Sequence, residues 1–293
     1  MEARVIPFGD PRYPPLLSGI HNPPEKIYVM GQLSVLTEPS VAIVGSRRAS
    51  AYGEDAAGAL ARALAEAGVA TVSGLARGID TAAHKASLQA GGKTIAVMGT
   101  GPDEIFPSDN KSLAEDICRQ GALVTEYDPG TPGWPGNFPA RNRIIAGLSL
   151  GTVVVEAAER SGALITARLA AEQGKEVFAV PGPISSPLSE GPHKLISQGA
   201  KLVRRVEDIL EEIKVLRGLI PAASRKTQDE LLLPALTGEE QDLLNLISLE
   251  PVSIDQLLNK SAEGAGRAAN TLLSLELKGA ILTLPGKRYV RSR

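Results

Sequence analysis

Three short stretches place glycines beside arginines or hydroxyls, Gly45-Ser46-Arg47-Arg48, Ser73-Gly74-Leu75-Ala76-Arg77-Gly78-Ile79-Asp80 and Ser161-Gly162-Ala163, and a fourth, Asn137-Phe138-Pro139-Ala140-Arg141-Asn142-Arg143, carries two arginines beside a ring. Glycine lets backbone N–H groups approach an anion, a helix N-terminus adds partial positive charge, and arginine supplies a forked pair of donors. Together these residue types can capture phosphate. Phe138 adds a ring flanked by Asn137, Pro139, Arg141 and Arg143. Bases of a single strand stack on such rings while arginines hold the phosphates, and this requires no particular base sequence. Tyr52, Phe106, Tyr127 and Trp134 also fall in or beside these loops. For Tyr52, Phe106 and Tyr127 the expected role is to pin the loops to the body.

Other chemistries find little support. The first loop is not Gly-x-Gly-x-x-Gly, and the second strand ends in Val72-Ser73-Gly74 with no acid for a ribose hydroxyl, so dinucleotide binding is not expected. No Gly-Lys-Ser/Thr follows a glycine-rich turn, which removes a P-loop. The three histidines, His21, His84 and His193, have no ligand spacing, so no metal is expected. His84 reads as structural. Ser46 has no evident histidine and acid partners for nucleophilic attack. The single cysteine, Cys118, excludes a disulfide framework and reads as a small buried hydrophobe on a helix over 112–120. A formal net charge of −2 makes any polyanion site a local feature. No stretch reads as a signal peptide or a membrane span, so a soluble cytoplasmic protein without cofactors is expected.

The elements that must position these residues alternate. Strands are expected at 41–45, 69–73, 94–98, 122–126, 152–155 and 176–180, with helical patterns between them and after the last. The fold class is therefore α/β, a doubly wound parallel sheet, whose ligand sits beyond the carboxyl ends of the strands. Residues 1–38 are proline-rich and read as an arm laid over the domain, with Ile27 to Gly31 as a short edge strand. Residues 39–215 form the doubly wound domain and 216–235 a mixed polar linker. Residues 236–293 hold three short helical patterns, at 239–249, 253–259 and 264–278, and a hairpin around Pro285-Gly286, which together read as winged-helix-like.

At this density the motifs become specific. Val41 to Arg47, Ser73 to Asp80 with Ala83-His84, Phe138 to Ser149, and Glu156-Ala157 with Ser161 to Ala167 resemble the motif set of the DNA processing protein A (DprA/Smf) family. Tyr13-Pro14, Pro23-Pro24 and Pro181-Gly182 fit as well, and the resemblance spans roughly residues 10–215. It implies a bacterial, non-catalytic protein with an extended Rossmann-like fold that binds and protects single-stranded DNA, forms homodimers, and helps load RecA recombinase past single-strand binding protein during natural transformation and recombination. It places Gly45, Ser46 and Arg47 on backbone phosphate, and Gly74, Arg77 and Gly78 in the same pocket with Asp80 anchoring the loop. Asn137 and Phe138 would meet the base, and Arg141 and Arg143 the phosphates or the loop itself. Ser161, Gly162 and Thr166 would offer donors at a helix start.

Two departures are visible. Ala163 stands where family members commonly have serine, removing a hydroxyl donor. Many members also carry a helical domain ahead of the Tyr-Pro segment, and no such stretch precedes Tyr13. Two alternatives are a phosphoribohydrolase-like enzyme using Glu156, whose Pro-Gly-Gly-x-Gly-Thr signature is missing, and a duplex-binding regulator. The second is the weaker, because residues 237–293 carry as many acids as bases and the third helix offers only Arg267 and Lys278. Lys287, Arg288, Arg291 and Arg293 cluster in the wing and tail, which favours a packing or protein-contact role for this domain.

Overall fold

The computed structural model describes residues 2–219, 237–247, 252–254, 256–257, 265–277, 280–284 and 288–291. The chain divides into two compact units, Met1–Pro221 and Ala222–Arg293.

The first unit is a nine-stranded sheet. Its elements in chain order are β1 (Arg4–Pro7), α1 (Pro15–Ser18), β2 (Lys26–Gly31), β3 (Ser40–Val44), α2 (Ala51–Glu66), β4 (Ala70–Ser73) and α3 (Ile79–Gln89). There follow β5 (Thr94–Val97), α4 (Lys111–Gln120), β6 (Ala122–Thr125), α5 (Asn137–Gly147), β7 (Gly151–Val154), α6 (Gly162–Glu172), β8 (Glu176–Ala179), α7 (Glu190–Ser197), β9 (Lys201–Leu202) and α8 (Val206–Glu212). The spatial order is β1-β2-β6-β5-β4-β3-β7-β8-β9, with β6 through β9 in mutual parallel pairing. The chain reverses its direction of strand addition between β3 and β7, which opens a crevice at the carboxyl edge.

The six strands read from the sequence appear as β3 to β8, with no end displaced by more than one residue. They are legible because helices cover both faces of the sheet, so every position but the exposed Glu176 is apolar or small. Along β3, Val41 and Ile43 pack under α2, α3 and α8, while Ala42 and Val44 pack under α5 and α6. The two-residue period thus feeds two cores.

One expectation is corrected. The strand at Ile27 to Gly31 is not the edge: β2 lies between β1 and β6, antiparallel to both, and β1 is the edge. Local pattern identifies a strand but not its partners. The turn after β2 needs glycine, since Gly31 has φ of 101° and a Cβ there would lie 2.4 Å from the Gly121 carbonyl oxygen. The arm is fastened rather than draped. Leu17 is fully buried against α5, where a Cβ on Gly147 would come within 2.7 Å of Leu17 Cδ1, and the Tyr13 hydroxyl donates to the Pro24 carbonyl at 2.9 Å.

In the second unit, Thr237 caps a helix at Gly238–Asn245: its hydroxyl accepts from the Glu240 N–H at 3.4 Å and its N–H donates to Glu240 Oε2 at 2.7 Å. A helix at Ala265–Leu277 and an antiparallel sheet of Val252–Ser253, Arg288–Arg291 and Ile281–Leu284 complete it. Leu243, Leu244, Ile247, Leu257, Leu272 and Leu275 form its core. The Pro285-Gly286 turn, most of the expected linker, Lys278, Lys287, Arg293 and the side chain of Arg267 lie outside the described residues. Among the described residues no helix is long and apolar enough to cross a membrane.

Leu17→Ala should lower unfolding free energy by about 2–5 kcal/mol, read by urea denaturation, because it leaves a void under the arm. An unchanged midpoint would show that the arm contributes nothing to the core.

Candidate functional site

Loops at the carboxyl ends of β3, β4, β5, β6 and β7 converge on one region. A cavity of about 670 Å³ is lined there by Gly45, Ser46, Arg47, Asp80, Phe138, Arg141, Ser161, Gly162 and Thr166. A second, about 560 Å³, adjoins it and shares Arg47, Phe106, Phe138 and Arg141 while adding Arg48, Gly74 and Arg77. The loop after β3 therefore lies between the two.

Phe138, half-buried at the start of α5, is the hub. The exposed guanidinium of Arg47 stands 5.3 Å from the ring centre and that of Arg141 stands 5.9 Å away. Both lie within range for attraction by the ring's quadrupole. Phe106 leans on the same ring at 5.3 Å between centroids and 42° between planes. One ring is thus bordered by two cations and a second ring.

Beneath it lies a buried polar scaffold. Arg141 is 4% exposed, and its Nη1 donates to the Gly74 carbonyl at 2.7 Å and also to the Val97 carbonyl. Asp80 Oδ2 accepts from the N–H groups of Gly74 at 3.1 Å and Ala76 at 3.3 Å. Gly74 sits between the two, and a Cβ there would be 2.8 Å from both Arg141 Nη2 and Asp80 Oδ2. Burial pushes the Asp80 carboxyl up from its ordinary range, against the Arg141 charge and the backbone donors that pull it down. Burial likewise pulls Arg141 down to about 10, opposed by Asp80. Arg141 therefore stays charged at neutral pH. The loop itself is tightly wound: Leu75, fully buried, has φ of 58°, and its carbonyl accepts from Asn110 Nδ2 at 2.8 Å. Gly78 has φ of 73°, and the next N–H, of Ile79, donates to the Ser46 carbonyl at 3.2 Å, clasping the β4 loop to the β3 loop.

The residues expected at the site take several positions. Gly45, Ser46, Arg47, Phe138, Ser161, Gly162 and Thr166 come together around the larger cavity. Ser161 caps α6, its hydroxyl accepting from the Ala163 N–H at 3.3 Å, so the helix start faces the cavity. Arg77 is exposed in the adjoining cavity and paired with Asp109 at 2.5 Å. Asn137 is held at the rim, its Nδ2 donating to the Gly99 carbonyl at 3.0 Å. Arg143 lines neither cavity: its two terminal nitrogens meet Glu126 Oε1 and Oε2, each at 2.6 Å.

Arg160, Asn142 and Phe106 also line the larger cavity and were not among the expected binding residues. Arg160 carried a readable signal, a cation directly before Ser161-Gly162. Phe106 carried only its loop position; it is 46% exposed and leans on the Phe138 ring. Arg48 is exposed in the adjoining cavity, its N–H donating to Ser46 Oγ at 3.1 Å.

Other chemistry-bearing residues are committed to structure. Glu156 binds Ser50, its Oε2 accepting from the N–H at 2.9 Å and Oε1 from the hydroxyl at 2.5 Å, which anchors the start of α2. Cys118 is half-buried, and burial pushes its thiol up to about 11. His84 is fully buried. The Thr94 hydroxyl gives its proton to the Thr71 carbonyl at 2.8 Å, so it accepts from His84 Nδ1 at 2.7 Å and fixes that tautomer. Burial, with the Arg141 charge in support, pulls His84 down to about 3.

Fold and site together define an α/β protein with a Rossmann-like sheet, a cationic, ring-bearing cavity at its topological switch point, and a C-terminal winged-helix domain. The family model described as DNA recombination-mediator protein A matches residues 4–214, and that of the DprA winged helix domain matches residues 227–287. The chain belongs to the DprA/Smf family. Protein Smf of Escherichia coli (strain K12) is 44% identical over 295 residues, covering 99% of this chain and 77% of the relative. The X-ray structure of DprA from Streptococcus pneumoniae is similar at 47% identity and a TM-score of 0.70, covering 73% of this chain and 75% of that one. DprA from Helicobacter pylori, described as having a unique single-stranded DNA binding mode, is similar at 29% identity and a TM-score of 0.67, covering 74% and 97%.

Because folding lowers the pKa of His84 from about 6.5 to about 3, the unfolded chain takes up a proton in that window and the folded chain does not. Its contribution is complete above pH 6.5 and is lost as the pH falls, by at most about 1.4 kcal/mol per pH unit. Urea denaturation between pH 7 and 4 should show a shallower decline for His84→Gln than for the native chain. Parallel curves would contradict the assignment.

Proposed function

We propose that this protein binds single-stranded DNA along the carboxyl edge of its sheet and performs no reaction on it. The observation that carries the reading is the half-buried Phe138 ring bordered by the exposed Arg47 guanidinium at 5.3 Å, beside a capped helix start. A base can stack on the ring while the guanidinium and the α6 N–H groups take the neighbouring phosphate. Gly45, Ser46, Gly74, Arg77, Gly78, Asn137, Ser161, Gly162 and Thr166 shape or line this path. Arg141 serves by holding the loops, and Arg143 by locking α5 to Glu126. The single-strand binding mode of the H. pylori relative supports the reading.

A passive binder with exposed cations and no base specificity suits a protein that shields incoming single strands in the cytoplasm. It would help place RecA recombinase on them past single-strand binding protein, in transformation and recombination. A homodimer is part of the proposal: β9 is an edge strand whose Leu202 is 38% exposed. Nothing favours a phosphoribohydrolase, since the Glu156 carboxylate is taken up by Ser50 and does not line the cavity.

Fluorescence anisotropy of labelled oligo-dT should report binding at low salt that weakens steeply as salt rises. Arg47→Ala should weaken it several-fold and reduce the slope of log K against log salt by about one. Absence of binding at low salt, or an Arg47→Ala variant that binds as tightly as the native chain, would overturn the proposal. So would release of free base from nucleoside monophosphates that Glu156→Ala abolishes.

A further inference from the structure

We propose that Trp134 is a second stacking platform for a nucleobase, next along the strand from the one at Phe138. The inference rests on the single-strand reading of the cavity and adds a contact to it.

Trp134 is 62% exposed, more than any other aromatic side chain among the described residues. A ring that served only to fasten its loop would be buried, because burying so large an apolar surface is what fastening consists of. Its position is defined by its neighbours. Gly133 lies against the ring cluster: a Cβ built there would be 3.3 Å from Phe138 Cζ and 3.6 Å from Phe106 Cγ. Gly133 and Pro135 both line the larger cavity. Trp134 is therefore bracketed, on each side, by residues in the wall of the site.

The loop that presents it is rigid without help from the indole. The Trp134 N–H donates to the Pro132 carbonyl at 2.8 Å, and the Trp134 carbonyl accepts from the Asn137 N–H at 2.9 Å. The Asn137 side chain reaches the Gly99 carbonyl at 3.0 Å and the Pro132 carbonyl at 3.4 Å, and the Thr131 carbonyl accepts from the Gly101 N–H at 2.8 Å. Prolines at 132 and 135 narrow the backbone further. An aromatic face held this way binds without paying to order its loop. Residues 130–136 carry no charged side chain to repel a phosphate, and Arg47 stands in the same wall. The ligand class is therefore a base of a single strand, recognised by its flat face and irrespective of its identity.

The chain has one tryptophan, so its emission reports this ring alone. Unlabelled oligo-dT titrated into the full chain should quench that emission at the concentrations where labelled oligo-dT gains anisotropy. Trp134→Leu should weaken binding by about five-fold or more, and Trp134→Phe should restore most of the loss. The leucine variant should keep the native slope of log K against log salt, because it removes no cation. Far-ultraviolet circular dichroism should be the same for all three proteins, since the ring is exposed. Constant emission while anisotropy reports binding overturns the inference and leaves the single-strand reading standing. So does quenching without any loss of affinity in Trp134→Leu. If the native chain binds no oligo-dT, both fall together.

Discussion

The site depends on one buried cation. Arg141 donates to the Gly74 and Val97 carbonyls, the first just after β4 and the second at the end of β5, and lies close to the Asp80 carboxylate. A guanidinium taken out of water is costly unless carbonyls and an opposite charge meet it. Here that need works in one direction only. Two strand ends and the β4 loop must come to the guanidinium, and Gly74 must lack a side chain to let them. The same group then supports Phe138 from one side while Arg47 approaches from solvent.

The arginines of the region divide by burial into those that build the cavity and those that stay exposed at it. Arg141 and Arg143 are occupied, the first by carbonyls and the second by both oxygens of Glu126. Arg47, Arg48 and Arg160 stay exposed at the two cavities. A chain of net charge −2 thereby gains a local positive edge without becoming basic overall. The helix start at Ser161 adds partial charge to that edge without a further side chain. Ala163 keeps its N–H on the Ser161 hydroxyl, so the cap needs no side-chain donor at 163.

Much of this was legible in the residues. Strands β3 to β8 announced themselves because a strand covered on both faces is built almost entirely of apolar and small residues. The loops that line the cavity were legible for a different reason, since glycine and arginine recur together at several strand ends. The place of β2 inside the sheet was not legible, because pairing with β6 joins residues nearly a hundred positions apart. The different fates of Arg141 and Arg143 were hidden too, as two residues on one helix turn to different surroundings only once the helix is docked.

The sequence by itself determined the α/β class, the six core strands, the loops that carry the site and the family to which the chain belongs. These follow from local periodicity and from residue types whose physical uses are few. Tertiary structure alone decided which cations are spent in the interior, that Phe106 leans on Phe138, that Glu156 anchors Ser50, and that Trp134 stands in solvent beside the cavity. Burial and partner geometry arise from contacts between distant segments, and no local pattern encodes them.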